Sequence, residues 1–327
     1  MKVLIVMRPS CSGHSIELVY QRICDQLHTA GIDSSIYKLK SNSFFPLRDI
    51  ISLNKLGADI FHISGDVNFI ATFLFKKNTV LTIHDIGRYL ELKSYKKILY
   101  KFYWIILPVF FSHYIFTSSE ATKNKLITAW RFCKGKIKHV PICSGLEIKP
   151  NVIESTKTFK ILHMGTNKNK NLTNVIKSLL NIDCTLLIVG KISSKDLNLL
   201  KKNKIHFKNF VNITNKDVIS LYQDANLVTF PSFHEGFGLP IIEAQSAGTP
   251  VITSRLSPMQ DIAGNAAHLV DPHSISEIRD GIVNIISNPD LQKKMIANGL
   301  RNAEKYSAKI VTNKHQELYQ ELLEKSL

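Results

Sequence analysis

Two carboxylates flank a glycine-containing turn within residues 229–250, TFPSFHEGFGLPIIEAQSAGTP. Glu235 precedes Gly236, Phe237 and Gly238; Glu243 follows Leu239, Pro240 and two isoleucines. The glycines remove two side chains, so backbone amides there can approach a ligand closely. Pro240 suits the first turn of a helix. A helix start fed by such a loop attracts anions, and phosphate is the natural guest. The carboxylates need not touch that phosphate. Glu243, about one turn into the helix, is placed to accept hydrogen bonds from a ribose diol. Glu235 is placed to take the hydroxyls of a second, sugar-like group. Phosphate between two polyols describes a nucleotide sugar.

These groups need a scaffold, and the rest of the sequence supplies one. Short apolar runs alternate with amphipathic stretches along the whole chain, the pattern of βαβ units and parallel sheets. VLIVM leads to a loop containing Gly13 and a helix from about Ile16 to Ala30. IFHIS, VLTIHD and YIFTSS read as further strands, with EATKNKLITAW as a helix. After a polar, aperiodic stretch at 148–158, a second set of strands begins: FKILHMG, CTLLIVG, IHFKNF, NLVTFPS, TPVITS and AAHLVDP. Beyond Pro289 the pattern is helical. The expected fold class is α/β with two Rossmann-like domains, 1–152 and 153–305. A C-terminal helix in 306–327 is expected to pack near or across the domain junction. Ligands in such folds bind outside the carboxyl ends of the strands.

Composition narrows the function classes. The 327 residues are 44% hydrophobic and 21% charged, as in globular proteins. The five cysteines form no CxxC or Cys/His cluster, so reduced thiols in a cytoplasmic protein and no structural zinc are expected. The opening apolar run is short and reads as a first buried strand, with no secretory export implied. Net charge is +16, of which residues 1–150 carry +11, from 21 Lys and Arg against 10 Asp and Glu. That surplus favours an anionic partner. No zinc-finger spacing or RNP-like aromatic motif accompanies it, so nucleic acid is not expected. The segment LYKFYWIILPVFF at 99–111 is too short to span a bilayer. Lys93, Lys96 and Lys97 precede it, and it carries Lys101. It reads either as a buried helix or as a basic-aromatic helix lying on a membrane, readings compatible if its two faces differ.

The pattern Glu-x7-Glu in EGFGLPIIEA resembles the signature of glycosyltransferase family 4, retaining enzymes of the GT-B fold. TIHD at 82–85, TSSEATKNKL at 117–126, VPICSGLE at 140–147 and HMGTNKNKNL at 163–172 stand in that family's order. So do LYQDANLVTFPS before the signature and GTPVITS after it. The resemblance covers most of the chain and implies two domains facing each other across a cleft. It implies that Glu235 contacts donor-sugar hydroxyls, that Glu243 holds the ribose, and that amides around Gly236, Phe237, Gly238 and Leu239 meet the sugar or pyrophosphate. By the same resemblance Lys170 neutralises the leaving diphosphate and His84 faces the reaction centre from the N-terminal domain. Gly13 then lies in a loop close to donor phosphate or acceptor, and Gly165 in the loop after the first strand of the second domain.

Two departures stand out. The family commonly has an arginine after the glycine equivalent to Gly165, where this chain has Thr166; Lys168 or Lys170 would then supply the charge. The glycine expected near the base-binding turn is replaced in FVNIT at 210–214, with Val211 in that turn and Ile213 and Thr214 in the positions lining the base pocket. No Asp-x-Asp pair occurs, so no metal clamp and no cofactor are expected. Lysine and helix-end amides would stabilise the leaving group instead. The resemblance implies transfer of a hexose from a nucleoside diphosphate to a saccharide or lipid-linked saccharide. Charge and apolar surface add an expected peripheral site on the inner face of the cytoplasmic membrane and a role in bacterial surface polysaccharide, O-antigen or capsule. Two other classes compete. A non-hydrolysing sugar-nucleotide epimerase needs further acid/base carboxylates and would form epimer without an acceptor. A non-catalytic binding subunit would be expected to lose Glu243 or Lys170.

Overall fold

The computed structural model describes residues 1–9, 14–40, 46–74, 77–86, 98–151 and 158–325. Gly13, Lys93, Lys96 and Lys97 lie outside the described residues. The chain divides into two compact units, Met1–Gly145 with Tyr306–Leu327, and Leu146–Lys305.

The first unit is built on a six-stranded sheet. β1 (Lys2–Met7), β2 (Asp33–Lys38), β3 (Ile60–Ile63), β4 (Thr79–Ile83), β5 (Tyr114–Thr117) and β6 (Ile137–His139) are arranged in the order β2-β1-β3-β4-β5-β6. Every pairing is parallel. β3, β4 and β5 are buried along their whole length. That explains their unbroken apolar sequences, because a parallel sheet is covered on both faces. The edge strands β2 and β6 were not anticipated. β2, DSSIYK, is polar and mostly unburied, and β6 has only three residues.

The C-terminal helix Ala308–Glu324 belongs to this unit and packs beside the helix His14–Thr29. It buries Val311, Thr312, His315, Leu318, Tyr319 and Leu322. Those positions recur at intervals of one, three and four and form one apolar stripe. The stripe carries polar atoms inward, where the Tyr319 hydroxyl meets His62 Nδ1 from β3.

The second unit has β7 (Phe159–Met164), β8 (Cys184–Val189), β9 (His206–Phe210), β10 (Leu227–Phe230), β11 (Val251–Ser254) and β12 (His268–Val270), in the order β12-β11-β10-β7-β8-β9. All pairings are again parallel. From β7 the chain builds outward through β8 and β9, then crosses back to place β10 on the other side of β7. This reversal falls between β7 and β10, and the carboxyl ends of strands at such a switch are the usual binding position in these sheets. Helix starts are capped locally: Ser193, Ser274 and Asn288 each accept a backbone N–H. Thr214 forms a full capping box with Asp217.

Candidate functional site

The reversal at β7 and β10 makes neighbours of two loops that lie about sixty residues apart. After β7 comes Gly165, at φ +87°. A Cβ there would lie 3.1 Å from Lys170 Cγ, so the glycine leaves room for the lysine stem to fold across it. After β10 comes the loop bearing Glu235. Lys170 Nζ donates to Glu235 Oε1 at 2.7 Å and sits 4.7 Å from the centroid of the Phe230 ring. The pair is partly shielded, with side chains 20% and 13% exposed. Asn169 Nδ2 donates to the same carboxylate oxygen and to the His234 carbonyl, both at 3.3 Å. Glu235 Oε2 accepts from no protein group among the described residues.

Asn171 fixes the loops to each other. Its backbone is left-handed, φ +66°, and its buried amide donates to the carbonyls of Pro231 (2.9 Å) and Pro272 (2.7 Å). The Phe233 amide donates to the Asn169 carbonyl at 2.8 Å, adding a backbone bond between the same loops. Neither asparagine was anticipated. Their partners lie 60 to 101 residues away, and only the strand order brings them close.

The helix Leu239–Ala247 starts at Gly238, whose φ is +119°, and no side-chain oxygen caps it. A side chain at 238 would be strained by that backbone and would press on Ile241 Cδ1 at 3.0 Å. Pro240 occupies the first turn, as expected. Phe237 is buried and Gly236 half-buried. Glu243 is also buried, and its Oε2 accepts from the Tyr222 hydroxyl at 2.7 Å. Burial, reinforced by the adjacent carboxylate, pushes the Tyr222 phenol well above its ordinary pKa, so it stays a donor. Nothing local in the sequence marks Tyr222 as the partner of Glu243.

The remaining candidates are distributed more widely. The Thr166 hydroxyl donates to the Lys191 carbonyl at 2.7 Å, packed against Gly190. Lys168 is exposed, one residue before Asn169. Thr214 is a helix cap, donating its hydroxyl to Asp217 at 2.7 Å, and Ile213 beside it is half-buried. The left-handed residue in this turn is Asn212, φ +54°, while Val211 is exposed. Asparagine tolerates that conformation better than most side chains, so the turn forms without a glycine.

The first unit has its own cavity, about 300 Å³, at the carboxyl ends of its strands. Its polar lining includes Arg8 after β1, Asp66 and Asn68 after β3, and His84 and Asp85 after β4; Tyr100 and Ile105 complete one wall. The His84 carbonyl accepts from the hydroxyls of Ser118 and Thr122, both at 3.2 Å, which fixes the strand end. Its Nε2 lies 3.1 Å from Ser64 Oγ, and its Nδ1 has no hydrogen-bond partner among the described residues. Removal from water pulls the imidazole pKa down to about 4; Asp85 opposes this shift and Arg8 adds to it. His84 is therefore neutral at physiological pH. Among the described residues no group of three or more His, Cys, Asp or Glu side chains is arranged to hold a metal ion.

Residues 147–302 match the sequence profile of the family described as glycosyl transferases group 1. O-antigen chain mannosyltransferase B of Escherichia coli is 34% identical over 95 residues, 29% of this chain and 25% of that protein. The chain thus aligns with a quarter of the length of this relative. The capsular polysaccharide biosynthesis glycosyltransferase CapM of Staphylococcus aureus is 25% identical over 80% of this chain and 76% of its own. Among solved structures, sucrose-phosphate synthase from Thermosynechococcus elongatus superposes with a TM-score of 0.80 at 16% identity, covering 98% of this chain and 99% of that one. The Anabaena protein HepE in complex with UDP and glucose gives 0.79 at 14%, covering 98% and 100%. At such identities the likeness shows the fold, which is GT-B.

Proposed function

We propose that this chain, whose residues 147–302 match the family described as glycosyl transferases group 1, is a retaining glycosyltransferase of the family 4 type. It moves a hexose from a nucleoside diphosphate to a saccharide or lipid-linked saccharide. The observation that carries the reading is the Lys170–Glu235 pair beside an uncapped helix start. A nucleotide sugar brings both charge types that this arrangement suits. Its diphosphate takes the amides at the start of the helix Leu239–Ala247 and the remaining donors of the Lys170 ammonium, which has three. Its sugar hydroxyls take Glu235 Oε2, and its ribose takes Glu243, whose carboxylate is steadied by Tyr222.

In the transfer, the bond between the anomeric carbon and the diphosphate oxygen breaks, and charge gathers on the leaving phosphate. Lys170 and the amides stabilise that charge without having to reorganise. The acceptor hydroxyl attacks from the face the diphosphate leaves. Its proton passes to the departing phosphate oxygen, so no side-chain nucleophile is required. Neutral His84 and the cavity around it belong to the acceptor side. The mannosyltransferase and capsule glycosyltransferase among the relatives support a surface polysaccharide as the product. An acceptor carried at the inner face of the cytoplasmic membrane fits the exposed apolar side chains of residues 98–111.

The test is the thermal stability of the protein against a panel of UDP-, GDP- and ADP-sugars. A ligand bound only by the folded state stabilises it by about 2.7 kcal/mol at a hundredfold excess over Kd. One base series should raise the Tm, and Glu243→Ala should lose the shift. If no nucleoside diphosphate or its sugar moves the Tm, the donor assignment is wrong.

A further inference from the structure

Residues 98–111 form one continuous helix, with a π-helical turn at Lys101–Ile106. One face of this helix is firmly held. Trp104, Ile105, Pro108 and Val109 are buried. Trp104 Nε1 donates to Asp66 Oδ1 at 2.8 Å, and its carbonyl accepts from Asn68 at 3.1 Å. Its ring stacks on Tyr100 at 5.5 Å. The other face is apolar and outside: Ile98, Leu99, Phe102, Tyr103 and Phe110 are 48% to 70% exposed. Ordinary packing does not explain that face, because the helix is already anchored by its opposite side. A contiguous exposed apolar surface marks an interaction site.

A second element extends the chemistry. The turn Arg131–Lys136 is tied to the end of the helix by Lys136 Nζ, which donates to the carbonyls of Phe110 (2.8 Å) and Ser112 (2.9 Å) and lies 5.9 Å from the Phe110 ring centroid. This turn exposes Phe132, 56% accessible, between Arg131 and Lys134, both exposed. Residues 98–112 and 131–136 together hold four cations, Lys101, Arg131, Lys134 and Lys136, and no carboxylate. Exposed aromatics with cations and no acids suit a surface that is apolar within and anionic at its rim. A protein partner would be expected to meet some opposite charge here; a bilayer of acidic lipid needs none.

We propose that the outward face of residues 98–111, with the turn Arg131–Lys136, is a docking surface for an anionic lipid bilayer. Phe102, Tyr103, Phe110 and Phe132 enter the headgroup region, and Lys101, Arg131 and Lys134 meet the lipid phosphates. The helix lies in the interface and does not cross it: no described helix is long and apolar enough to span a membrane. Its inner side supplies Tyr100 and Ile105 to the cavity that holds His84, so one helix is both the lipid contact and a wall of the proposed acceptor site. The inference deepens the acceptor half of the function proposed above, yet its test needs no turnover.

The experiment is flotation with vesicles of phosphatidylcholine alone or with 30% phosphatidylglycerol, at low and high salt. The parent should float with the anionic vesicles at low salt and not with the neutral ones. Phe102→Ser with Phe110→Ser and Phe132→Ser should lower partitioning at least tenfold. Lys101→Gln with Arg131→Gln and Lys134→Gln should lower it roughly 100-fold and flatten its salt dependence. All six positions lie outside the buried core, so unchanged circular dichroism and Tm are expected for both variants. Size-exclusion chromatography of the same proteins separates the alternative occupant. The proposal is overturned if the parent ignores anionic vesicles, if both folded variants bind as the parent does, or if the aromatic variant only dissociates an oligomer. Should vesicle binding fail while transfer to a soluble saccharide persists, the surface is wrong and the transferase stands.

Discussion

Lys170 Nζ lies 2.7 Å from Glu235 Oε1 across 65 residues of sequence, on two loops that become neighbours only because β10 returns to the side of β7. Both groups are partly withdrawn from water, so the pair lies between a surface ion pair and a buried one. Lys170→Met leaves a half-buried carboxylate without its cation and should cost about 1–3 kcal/mol. Glu235→Gln in that background should cost less than it does alone. A double-mutant cycle by urea unfolding reads the coupling; strict additivity would show that the two groups act independently.

Tyr222 and Glu243 form the second pair. A hydrogen bond to a charged group contributes about 1.5–3 kcal/mol. Tyr222→Phe should therefore weaken nucleoside diphosphate binding, roughly tenfold, by releasing a carboxylate that the phenol now orients. Glu243→Ala should weaken it further. Isothermal titration with the free nucleoside diphosphate checks both, and unchanged affinity in Glu243→Ala would remove this residue from the ribose role.

The buried histidines set a pH dependence with a definite sign. His315 in the first unit and His163 in the second each have their pKa lowered to about 4, first of all by burial. Unfolded histidine titrates near 6.5. Between the two values the unfolded chain binds the proton and the folded chain does not, so stability is lost as pH falls from about 6.5 to about 4. At pH 5 the loss is about 2 kcal/mol per histidine. Both tryptophans, Trp104 and Trp130, lie in the first unit, so their fluorescence reports its unfolding. The urea midpoint should fall between pH 7 and pH 5, and His315→Leu should fall less. Equal slopes for both proteins would remove His315 from the effect.

Most of the strands were legible because parallel sheets bury both faces and write themselves as apolar runs; β4, TVLTI, is an example. β2 and β6 were not, since β2 is mostly polar and β6 has only three residues. The loop at Gly236–Gly238 was legible from glycine and proline, whose backbone demands are local. The bonds that give the site its shape were not legible. Asn169 to Glu235, Asn171 to two proline carbonyls, Tyr222 to Glu243 and Ser64 to His84 all depend on strand order, which no short stretch encodes. Residues 98–111 are apolar nearly all round, so periodicity alone did not separate the buried face from the exposed one.

If lysine and backbone amides carry the leaving group, as proposed, turnover should not need a divalent ion. Dialysis against EDTA should leave the initial rate within about twofold, well below the 10²–10³-fold typical of losing an essential electrostatic contact. A metal-reversible loss of activity would contradict the assignment to Lys170.

Glu235 and Lys170 are proposed to belong to a site that transfers sugar from a nucleoside diphosphate with retention. The most direct measurement follows product anomers by NMR, using the nucleotide sugar that stabilises the protein and a saccharide acceptor, with parent, Glu235→Gln and Lys170→Ala. One glycosidic product with the donor's anomeric configuration is expected, with a rate at least about 10²-fold slower in each variant. Epimerised donor formed without an acceptor, inverted product, or variants as fast as the parent would contradict it.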